Sequence, residues 1–182
     1  MEARAKRIIE SAVALAEEGG FEAVRLRDVA AHAEVALGTL YRRFRSKEDI
    51  LVAALDQETL RMEARILRRA PKGESVSARV VHFFDSATRA LCRRPNLARA
   101  VLRAVTSGDP TVTEKAAAFH MRMTELTCSV IGDRELSDDE RTRAFLLQQI
   151  WFAGLVGWMG GLHSKAAIVE QIRVATPLLF ED

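Results

Sequence analysis

The sequence has few cysteines, and its first residues do not form an apolar run. Cys92 and Cys128 are its two cysteines, and neither belongs to a CxxC motif. A disulfide framework and a cysteine metal centre are therefore not predicted. The first residues, MEARAKRIIESA, lack the apolar core of a secretory signal and indicate an amphipathic helix. These features favour reduced thiols in a cytoplasmic protein.

Residues that interrupt helices are also sparse. Four prolines and ten glycines in 182 residues leave long stretches without a break. No segment alternates polar and apolar residues as a half-buried strand does. Alanine, leucine, arginine and glutamate, which favour helices, are abundant. The sequence therefore predicts an all-α fold.

Catalytic and metal-binding signatures are missing as well. There is no G-x-S-x-G, P-loop or G-x-G-x-x-G motif in the sequence. The four histidines have no metal-ligand spacing with each other or with either cysteine. We therefore predict no enzyme, no catalytic residue, no cofactor and no metal site.

Charge of one sign is not in excess. The net charge is +2, and residues 1–50 contain nine basic and nine acidic residues. Because the bulk charge is so small, it predicts no nucleic-acid partner by itself. A basic surface can arise only from local clustering.

One segment, Ala144 to Ser164, contains no Asp, Glu, Lys or Arg and is long enough to cross a bilayer. Gln148, Gln149 and His163 lie within it and make it a poor membrane span. A helix that is apolar on all sides is also expected inside a large core or dimer. We favour the buried helix and predict no membrane association.

The sequence does contain a helix-turn-helix pattern. Two sets of apolar residues recur at helical spacing on either side of a short turn. They are Leu26, Val29, Ala30 and Ala33, then Leu37, Leu40, Tyr41 and Phe44. Gly38, Thr39, Arg42 and Arg43 lie opposite the second set, and Arg45 and Lys47 follow. A small, polar and cationic face of this kind suits a major groove flanked by phosphates.

The pattern predicts a head and a body. A first helix from about Ala3 to Glu18 ends at Gly19–Gly20, and residues 1–46 form a three-helix DNA-binding domain. Ser46 then caps a long helix over residues 47–70, which connects the head to a body that spans residues 47–182. Further helices are predicted over Val76–Cys92, Asn96–Val105, Thr111–Ile131, Asp138–Leu162 and Lys165–Leu179.

On these residues the head resembles the DNA-binding domain of the TetR family of bacterial transcriptional regulators. The resemblance covers about Arg7 to Leu55, in the run GGFEAVRLRDVAAHAEVALGTLYRRFRSKEDIL. It rests on a glycine and an aromatic after the first helix, RDVA in the second, GTLY-x-x-F in the third, and SKE. It implies a homodimer of about nine helices per chain with an effector-binding body. Within the family, VALGTLYRRFRSK and IWFAGLVGWM are most similar to the actinobacterial repressors of steroid catabolism.

The resemblance also implies DNA contacts. Gly38, Thr39, Tyr41 and Arg42 become contacts of the reading helix, and Lys47 becomes a phosphate contact. The complete set of candidate DNA-binding residues is Arg25, Arg27, Leu37, Gly38, Thr39, Tyr41, Arg42, Arg43 and Lys47. Arg42 and Arg43 either read guanine or anchor phosphate, and we favour phosphate because most protein–DNA hydrogen bonds go there.

The head departs from the usual family pattern in three ways. Glu34 replaces a glycine of the turn, so either the turn is not left-handed there or it carries about 1 kcal/mol of strain. Arg25 and Ala36 replace hydroxyl residues that cap the second and third helices. Leu37 replaces a polar or basic residue. The preferred operator sequence therefore cannot be taken from relatives.

The body contains candidate dimer residues. Glycines at three- and four-residue spacing near the end of the apolar helix allow another helix to approach closely, and the last helix is its expected companion in a four-helix interface. The predicted interface residues are Gly154, Gly157, Trp158, Gly161, Ile168, Ile172 and Ala175. The alternative is that these are core helices of a monomer, and we favour the homodimer because a two-fold operator needs two reading helices.

The body also contains candidate effector residues. Wide apolar faces of the fifth, seventh and eighth helices suit a greasy molecule with one or two hydrogen-bonding ends. The predicted lining is Phe83, Phe84, Leu91, Phe119, Met123, Leu126, Phe145, Gln148, Trp151 and Phe152. Each of these is equally well explained as a packed core residue. For His82 and Gln149, further polar candidates, we favour the packed core.

These features predict a ligand-responsive transcriptional regulator, with a repressor favoured. It binds a palindromic double-stranded DNA operator as a dimer and is released by a small hydrophobic effector, of steroid or acyl-CoA type. The effector displaces the long connecting helix and changes the separation of the heads. One alternative is a TetR-type regulator of an efflux or stress gene with a different effector. Another is a helical carrier of hydrophobic ligands that binds no DNA.

Overall fold

The structure is a computed structural model that describes residues 2–68, 71–132 and 134–180. Over these ranges it contains nine α-helices, a short 3-10 helix at Pro110–Val112 and no strand, which confirms the predicted all-α class. The helices are α1 (Glu2–Ala23), α2 (Leu26–His32), α3 (Leu37–Tyr41), α4 (Lys47–Arg68), α5 (Val76–Cys92), α6 (Pro95–Val105), α7 (Thr113–Ile131), α8 (Asp138–Met159) and α9 (Lys165–Leu179). Residues 69 and 70, the predicted end of α4, lie outside the described residues.

The chain forms two compact units. Unit 1 comprises Met1–Glu58 and Arg93–Phe119, and unit 2 comprises Thr59–Cys92 and His120–Asp182. In unit 1, α6 lies against α1, and in unit 2, α9 lies against α5 and α8. Helices α4 and α7 each contribute residues to both units. The predicted boundary between residues 46 and 47 stays a prediction, because each unit is assembled from separate chain segments.

Glycine and cap chemistry set the helix ends. The predicted stop of the first helix coincides with a break at Gly20, whose φ of 70° and ψ of −158° are not helical, although helix resumes to Ala23. Ser137 and Ser164 accept bonds from the backbone N–H of Glu140 and Ala167, so α8 and α9 begin where the capping patterns predict.

The first helix ends at Ala23 instead of Glu18, and two further predicted boundaries are wrong by a few residues. The segment expected to open a helix at Thr111 begins as a 3-10 turn, because the Asp109 carboxylate accepts from the backbone N–H of Thr111, and α7 starts at Thr113. Helix α8 ends at Met159 instead of residue 162. There Gly161, with φ of 79°, adopts the left-handed conformation, and the N–H of Leu162 bonds the Gly157 carbonyl at 2.8 Å.

Each unit has its own apolar core. In unit 1 the core includes Ile8, Ala12, Val29, Leu40 and Leu51, all almost completely buried. In unit 2 it includes the residues Phe84, Met123, Leu147, Trp151 and Ile168. Along the described ranges no helix is both long enough and apolar enough to span a membrane.

Candidate nucleic-acid interface

The turn between α2 and α3 is a left-handed helix end. Glu34 has φ of 54°, its N–H bonds the Ala31 carbonyl at 3.1 Å, and the N–H of Val35 bonds the Ala30 carbonyl at 3.0 Å. This pair of bonds is a Schellman motif, in which glycine is the usual residue at the position of Glu34. Of the two possibilities that the sequence left open, the strained one is therefore present.

Helix α3 is short and has no side-chain cap. Arg25 and Ala36 stand at the N-caps of α2 and α3 without a capping hydrogen bond, as their residue types predict. The helix is instead held by burial, since Leu40 and Phe44 are 0% and 5% exposed. Backbone bonds continue past its end, with the N–H of Phe44 at 2.9 Å from the Leu40 carbonyl. Packing therefore fixes α3 where its caps do not.

The opposite face of α3 is open to solvent. Tyr41, which helical spacing placed in the apolar set with Leu40 and Phe44, is instead 52% exposed. Arg42 donates to the Thr39 hydroxyl at 3.0 Å. A Cβ placed on Gly38 would meet no atom within 4 Å. The structure thus places Gly38, Thr39 and Tyr41 on one short helix, Arg42 at its C-cap and Arg43 in the exposed turn that follows.

The remaining candidate DNA contacts lie on either side of this face. Arg25 and Arg27 are exposed at the start of α2, and Leu37 is half-buried at the start of α3. Lys47 begins α4, and its ammonium donates to the Phe21 carbonyl at 3.2 Å and to the Glu22 carboxylate at 3.4 Å. It also lies 3.9 Å from the centre of the Phe21 ring. Lys47 is therefore held in place by the end of α1.

Arg103 of α6 joins the same cluster, which the sequence did not predict. Its guanidinium is 2.8 Å from the Glu22 carboxylate and its central carbon is 4.2 Å from the centre of the Phe21 ring. Lys47 and Arg103 together hold the pKa of Glu22 below its ordinary value, with Lys47 the larger cause. No local sequence signal relates residues 22, 47 and 103, because only tertiary packing brings them together.

The first turn of α4 is fixed by a second charged group. Ser46 accepts from the backbone N–H of Asp49 at 3.1 Å, as the capping pattern predicts. The Asp49 carboxylate, 5% exposed, accepts from the backbone N–H of Arg45 at 2.9 Å and from the ammonium of Lys115. Through these bonds the cationic segment after α3 is tied to the first turn of α4 and to α7.

In unit 2, most of the predicted effector residues form a packed core. Phe83, Phe84, Met123, Leu126 and Trp151 are each at most 5% exposed. The rings of Phe83 and Phe84 are 4.9 Å apart, those of Phe84 and Trp151 are 5.6 Å apart, and the indole N–H of Trp151 donates to Thr88 at 2.9 Å. Their role as effector contacts stays a prediction.

The other predicted effector residues are dispersed. Gln148 is buried and lies 2.8 Å from Nδ1 of His120, whose ring contacts Phe152 at 4.5 Å between centroids. Burial lowers the pKa of His120, against the opposing effect of the Gln148 bond. Phe145 is 45% exposed and Leu91 is half-buried, whereas Phe119 belongs to unit 1.

A cavity of about 540 Å³ lies in unit 2 between the end of α4, the segment after it, and α5. Of the predicted effector residues it is lined only by Phe83. His82, for which the packed core was favoured, is exposed and also lines the cavity. Its walls combine apolar and cationic side chains. They are Met62, Arg65, Ile66, Arg68, Pro71, Lys72, His82, Phe83, Ser86 and Ala90.

The predicted dimer residues lie mainly between α8 and α9 of one chain. Ile168 and Ile172 are fully buried, and a Cβ on Gly154 would meet Ile168 at 3.1 Å. A Cβ on Gly157 would lie 2.3 Å from the His163 ring. Trp158 is buried and Ala175 half-buried, while Gly161 is exposed in the turn after α8 instead of inside the helix. Close approach within the chain thus accounts for Gly154 and Gly157.

Comparison with known proteins gives two family matches. Residues 8–54 match the model of bacterial regulatory proteins of the tetR family, and residues 73–179 match that of the tetracyclin repressor-like C-terminal domain. Two relatives are the HTH-type transcriptional repressors KstR of Rhodococcus jostii and Mycobacterium tuberculosis. They are 34% and 31% identical over 98% of this chain, and the alignments cover 84% and 81% of those proteins.

Solved structures of TetR-family regulators have the same fold as this chain. A TetR transcriptional regulator from Rhodococcus sp. RHA1 superposes with a TM-score of 0.88 at 31% identity, covering 100% of this chain and 97% of that one. A tetR-family regulator from Streptomyces coelicolor has the same fold, with a TM-score of 0.69 at 15% identity over 98% of this chain and 81% of the other.

Proposed function

The chain belongs to the TetR family of bacterial regulatory proteins, and from this premise we propose that it is a ligand-responsive repressor that binds a palindromic operator as a homodimer. The family consists of transcriptional regulators, so the chain is not an enzyme, as its sequence predicts. The observation that carries the proposal is the exposed face of α3, with Thr39, Tyr41 and Arg42 outward and Leu40 buried beneath them.

The chemistry of this face fits a major groove. The Thr39 hydroxyl can donate to or accept from a base edge, and Arg42 can bind a guanine or a phosphate. In the free protein Arg42 donates to Thr39, so this bond is exchanged when either side chain binds DNA. Because Gly38 has open space beside it, the DNA backbone can approach α3 closely.

Gly38 offers a sharp test of this interface. An alanine there meets nothing within 4 Å and favours helix by about 1 kcal/mol, so Gly38→Ala should leave the free protein equally or more stable. If DNA approaches the backbone at this point, the same variant loses operator affinity. The operator is obtained by selecting bound duplexes from a random pool, and affinity is measured by fluorescence anisotropy.

Controls make the Gly38 test specific. Gly108→Ala is unsuitable as a control because Gly108 has positive φ. The matched control is Gly132→Ala in unit 2, where an added Cβ would lie 3.9 Å from the nearest atom. The control should keep operator affinity. If Gly38→Ala binds the selected operator as tightly as the parent protein, α3 does not lie in the groove. If no duplex is selected, the proposed operator binding is wrong, and the carrier of hydrophobic ligands remains as the alternative function.

For the homodimer, the supporting feature is an apolar surface on α8 and α9. Leu146, Val174 and Leu178 are 42%, 57% and 80% exposed, which is unusual for side chains of this size. We infer that this surface, together with the half-buried Ala175, forms the homodimer interface, so that the dimer has two copies of the reading helix α3. Sedimentation velocity should give a dimer for the parent protein and a monomer for Val174→Glu/Leu178→Glu.

For the effector, the supporting feature is the 540 Å³ cavity of unit 2. Its apolar wall, including Met62, Ile66 and Phe83, suits a hydrophobic body such as a steroid or acyl chain, and Arg65 and Lys72 suit an anionic end. Helix α4 lines this cavity with its last turns, and the same helix begins at Lys47. We infer that an occupant moves α4 and thereby Lys47.

This coupling is tested by linkage. An effector that weakens operator binding must itself bind more weakly to the operator complex, by the same factor. A panel of steroid acids, acyl-CoA thioesters and their uncharged analogues is titrated with and without operator, on the parent protein and on Ile66→Trp, which fills the cavity. A ligand that binds the parent tightly, yet has equal affinity in both states, contradicts the coupling.

A further inference from the structure

Phe21, Glu22, Lys47 and Arg103 form a cluster that the helix-turn-helix motif does not explain. Two cations from different helices, α4 and α6, converge on one aromatic ring at 3.9 and 4.2 Å and on one carboxylate at 3.4 and 2.8 Å. Like charges held this close repel each other unless an anion lies between them. The cluster is therefore organised around an anion, which in the free protein is Glu22.

The two carboxylate oxygens of Glu22 are divided between the cations. Oε2 faces the ammonium of Lys47, and Oε1 faces the guanidinium of Arg103. A phosphate diester presents two unesterified oxygens that can be shared by two cations in the same way. Lys47 also follows the cationic segment after α3 directly, so the cluster adjoins the proposed DNA-binding face.

Glu22 is easily displaced from this position. Its side chain is 71% exposed, and that of Arg103 is 55% exposed, so both groups remain in contact with water. Exposed ion pairs contribute little to stability because water and salt compete for both partners. The Phe21 ring lies against both cations, and its attraction for them does not depend on the carboxylate.

We propose that Lys47 and Arg103 form a DNA-phosphate site, in which the Glu22 carboxylate occupies the place of a backbone phosphate while DNA is absent. This rests on the proposed DNA-binding function and adds a contact from α6, outside the helix-turn-helix motif. Glu22 competes with DNA for both cations. It lowers affinity for every sequence alike, because phosphates carry no base information.

The test measures binding to a fluorescein-labelled duplex of random sequence, about 40 base pairs long, at salt concentrations from about 50 to 200 mM. Non-specific binding depends on phosphates alone, so the operator need not be known. Lys47→Met and Arg103→Met remove the charge and keep an apolar stem against Phe21. The matched controls are Arg89→Met and Asp85→Asn, which alter an exposed arginine–carboxylate pair on α5 in unit 2.

The slope of log affinity against log salt is negative. Each methionine variant of the cluster should reduce its magnitude by about 0.9 per subunit, or about 1.8 for a dimer. The fall in affinity over this fourfold salt range is then about twelvefold smaller than for the parent protein. Glu22→Gln should raise affinity by about two- to fivefold relative to Asp85→Asn, equally for random and selected duplexes. The Arg89 and Asp85 variants should keep the parent slope.

The inference is overturned if the slope is reduced in Lys47→Met but unchanged in Arg103→Met, because Lys47 then contacts DNA without Arg103. It is also overturned if Glu22→Gln leaves affinity unchanged or lowers it. Should Arg103→Met fail to fold, Arg103→Lys must keep the slope and Glu22→Gln must still raise affinity. If the parent protein binds neither random nor selected duplexes, the proposed function fails as well, which separates the two failures.

Discussion

Replacing Glu34 by glycine should stabilise this protein. Glu34 has φ of 54° at the left-handed position of the Schellman motif that ends α2, and both motif bonds use backbone atoms only. Glu34 is exposed, so its side chain fills no core space. The substitution therefore relieves backbone strain and leaves the hydrogen bonds of the turn in place.

The size of the effect follows from two opposing terms. A residue with a Cβ in the left-handed region costs about 1–2 kcal/mol, which glycine avoids. Glycine also gives the unfolded chain more conformations, which costs about 0.4–1 kcal/mol of stability. The net gain in the free energy of unfolding is about 0.5–1 kcal/mol. For a chain of this length it raises Tm by about 1–4 °C.

The assay is urea unfolding followed by circular dichroism, with two controls. Glu34→Ala removes the same carboxylate but keeps the Cβ, so it should not gain stability. Glu18→Gly places glycine at an exposed position of α1 and should lose about 1 kcal/mol. If Glu34→Gly is no more stable than Glu34→Ala, the turn is not strained and the argument from its φ angle is refuted.

Three further changes test the packing and the caps. Thr88→Val should lower the free energy of unfolding by about 1–3 kcal/mol, because the buried indole N–H of Trp151 loses its acceptor, and Thr88→Ser should restore it. Gly157→Ala should destabilise the chain because its Cβ would overlap His163, and a double-mutant cycle with His163→Ala should recover most of the loss. The pKa of Glu140 is lowered to about 2 by its arginine partner and its capping bonds. The stabilising effect of the ionised Glu140 carboxylate is thus present above about pH 4.5 and is lost as pH falls towards 2. Glu140→Gln should therefore weaken the pH dependence of the free energy of unfolding over that window.

Local patterns were sufficient to locate the helices, although not all of their ends. The last helix was predicted over Lys165–Leu179 and occupies those residues, because Ser164 caps it and its apolar residues repeat at helical spacing. Where a prediction erred, a backbone conformation decided the outcome. The end of α8 moved from residue 162 to Met159 because Gly161 adopts positive φ, and spacing alone does not distinguish a helical glycine from a terminating one.

The site was only partly predictable, because periodicity describes one helix at a time. It placed Thr39 and Arg42 on one face of α3, where the structure has them hydrogen-bonded. It did not predict Arg103, which is 56 residues from Lys47 and reaches the same carboxylate only through the packing of α6 on α1. Similarly, Gly154 was assigned to contact with a second chain, whereas α9 of the same chain lies against it.

The charge balance of the head was uninformative for a related reason. Residues 35–47 contain four cations and no acidic residue, although the first fifty residues are neutral in sum. The structure shows where several of the compensating carboxylates go. Glu17 pairs with Arg94, the N-cap residue of α6, and Asp49 pairs with Lys115 of α7, so neither anion neutralises the face of α3. Because Glu17 and Asp49 are paired with cations outside residues 35–47, a net charge near zero over the first fifty residues is compatible with a local excess of positive charge around α3.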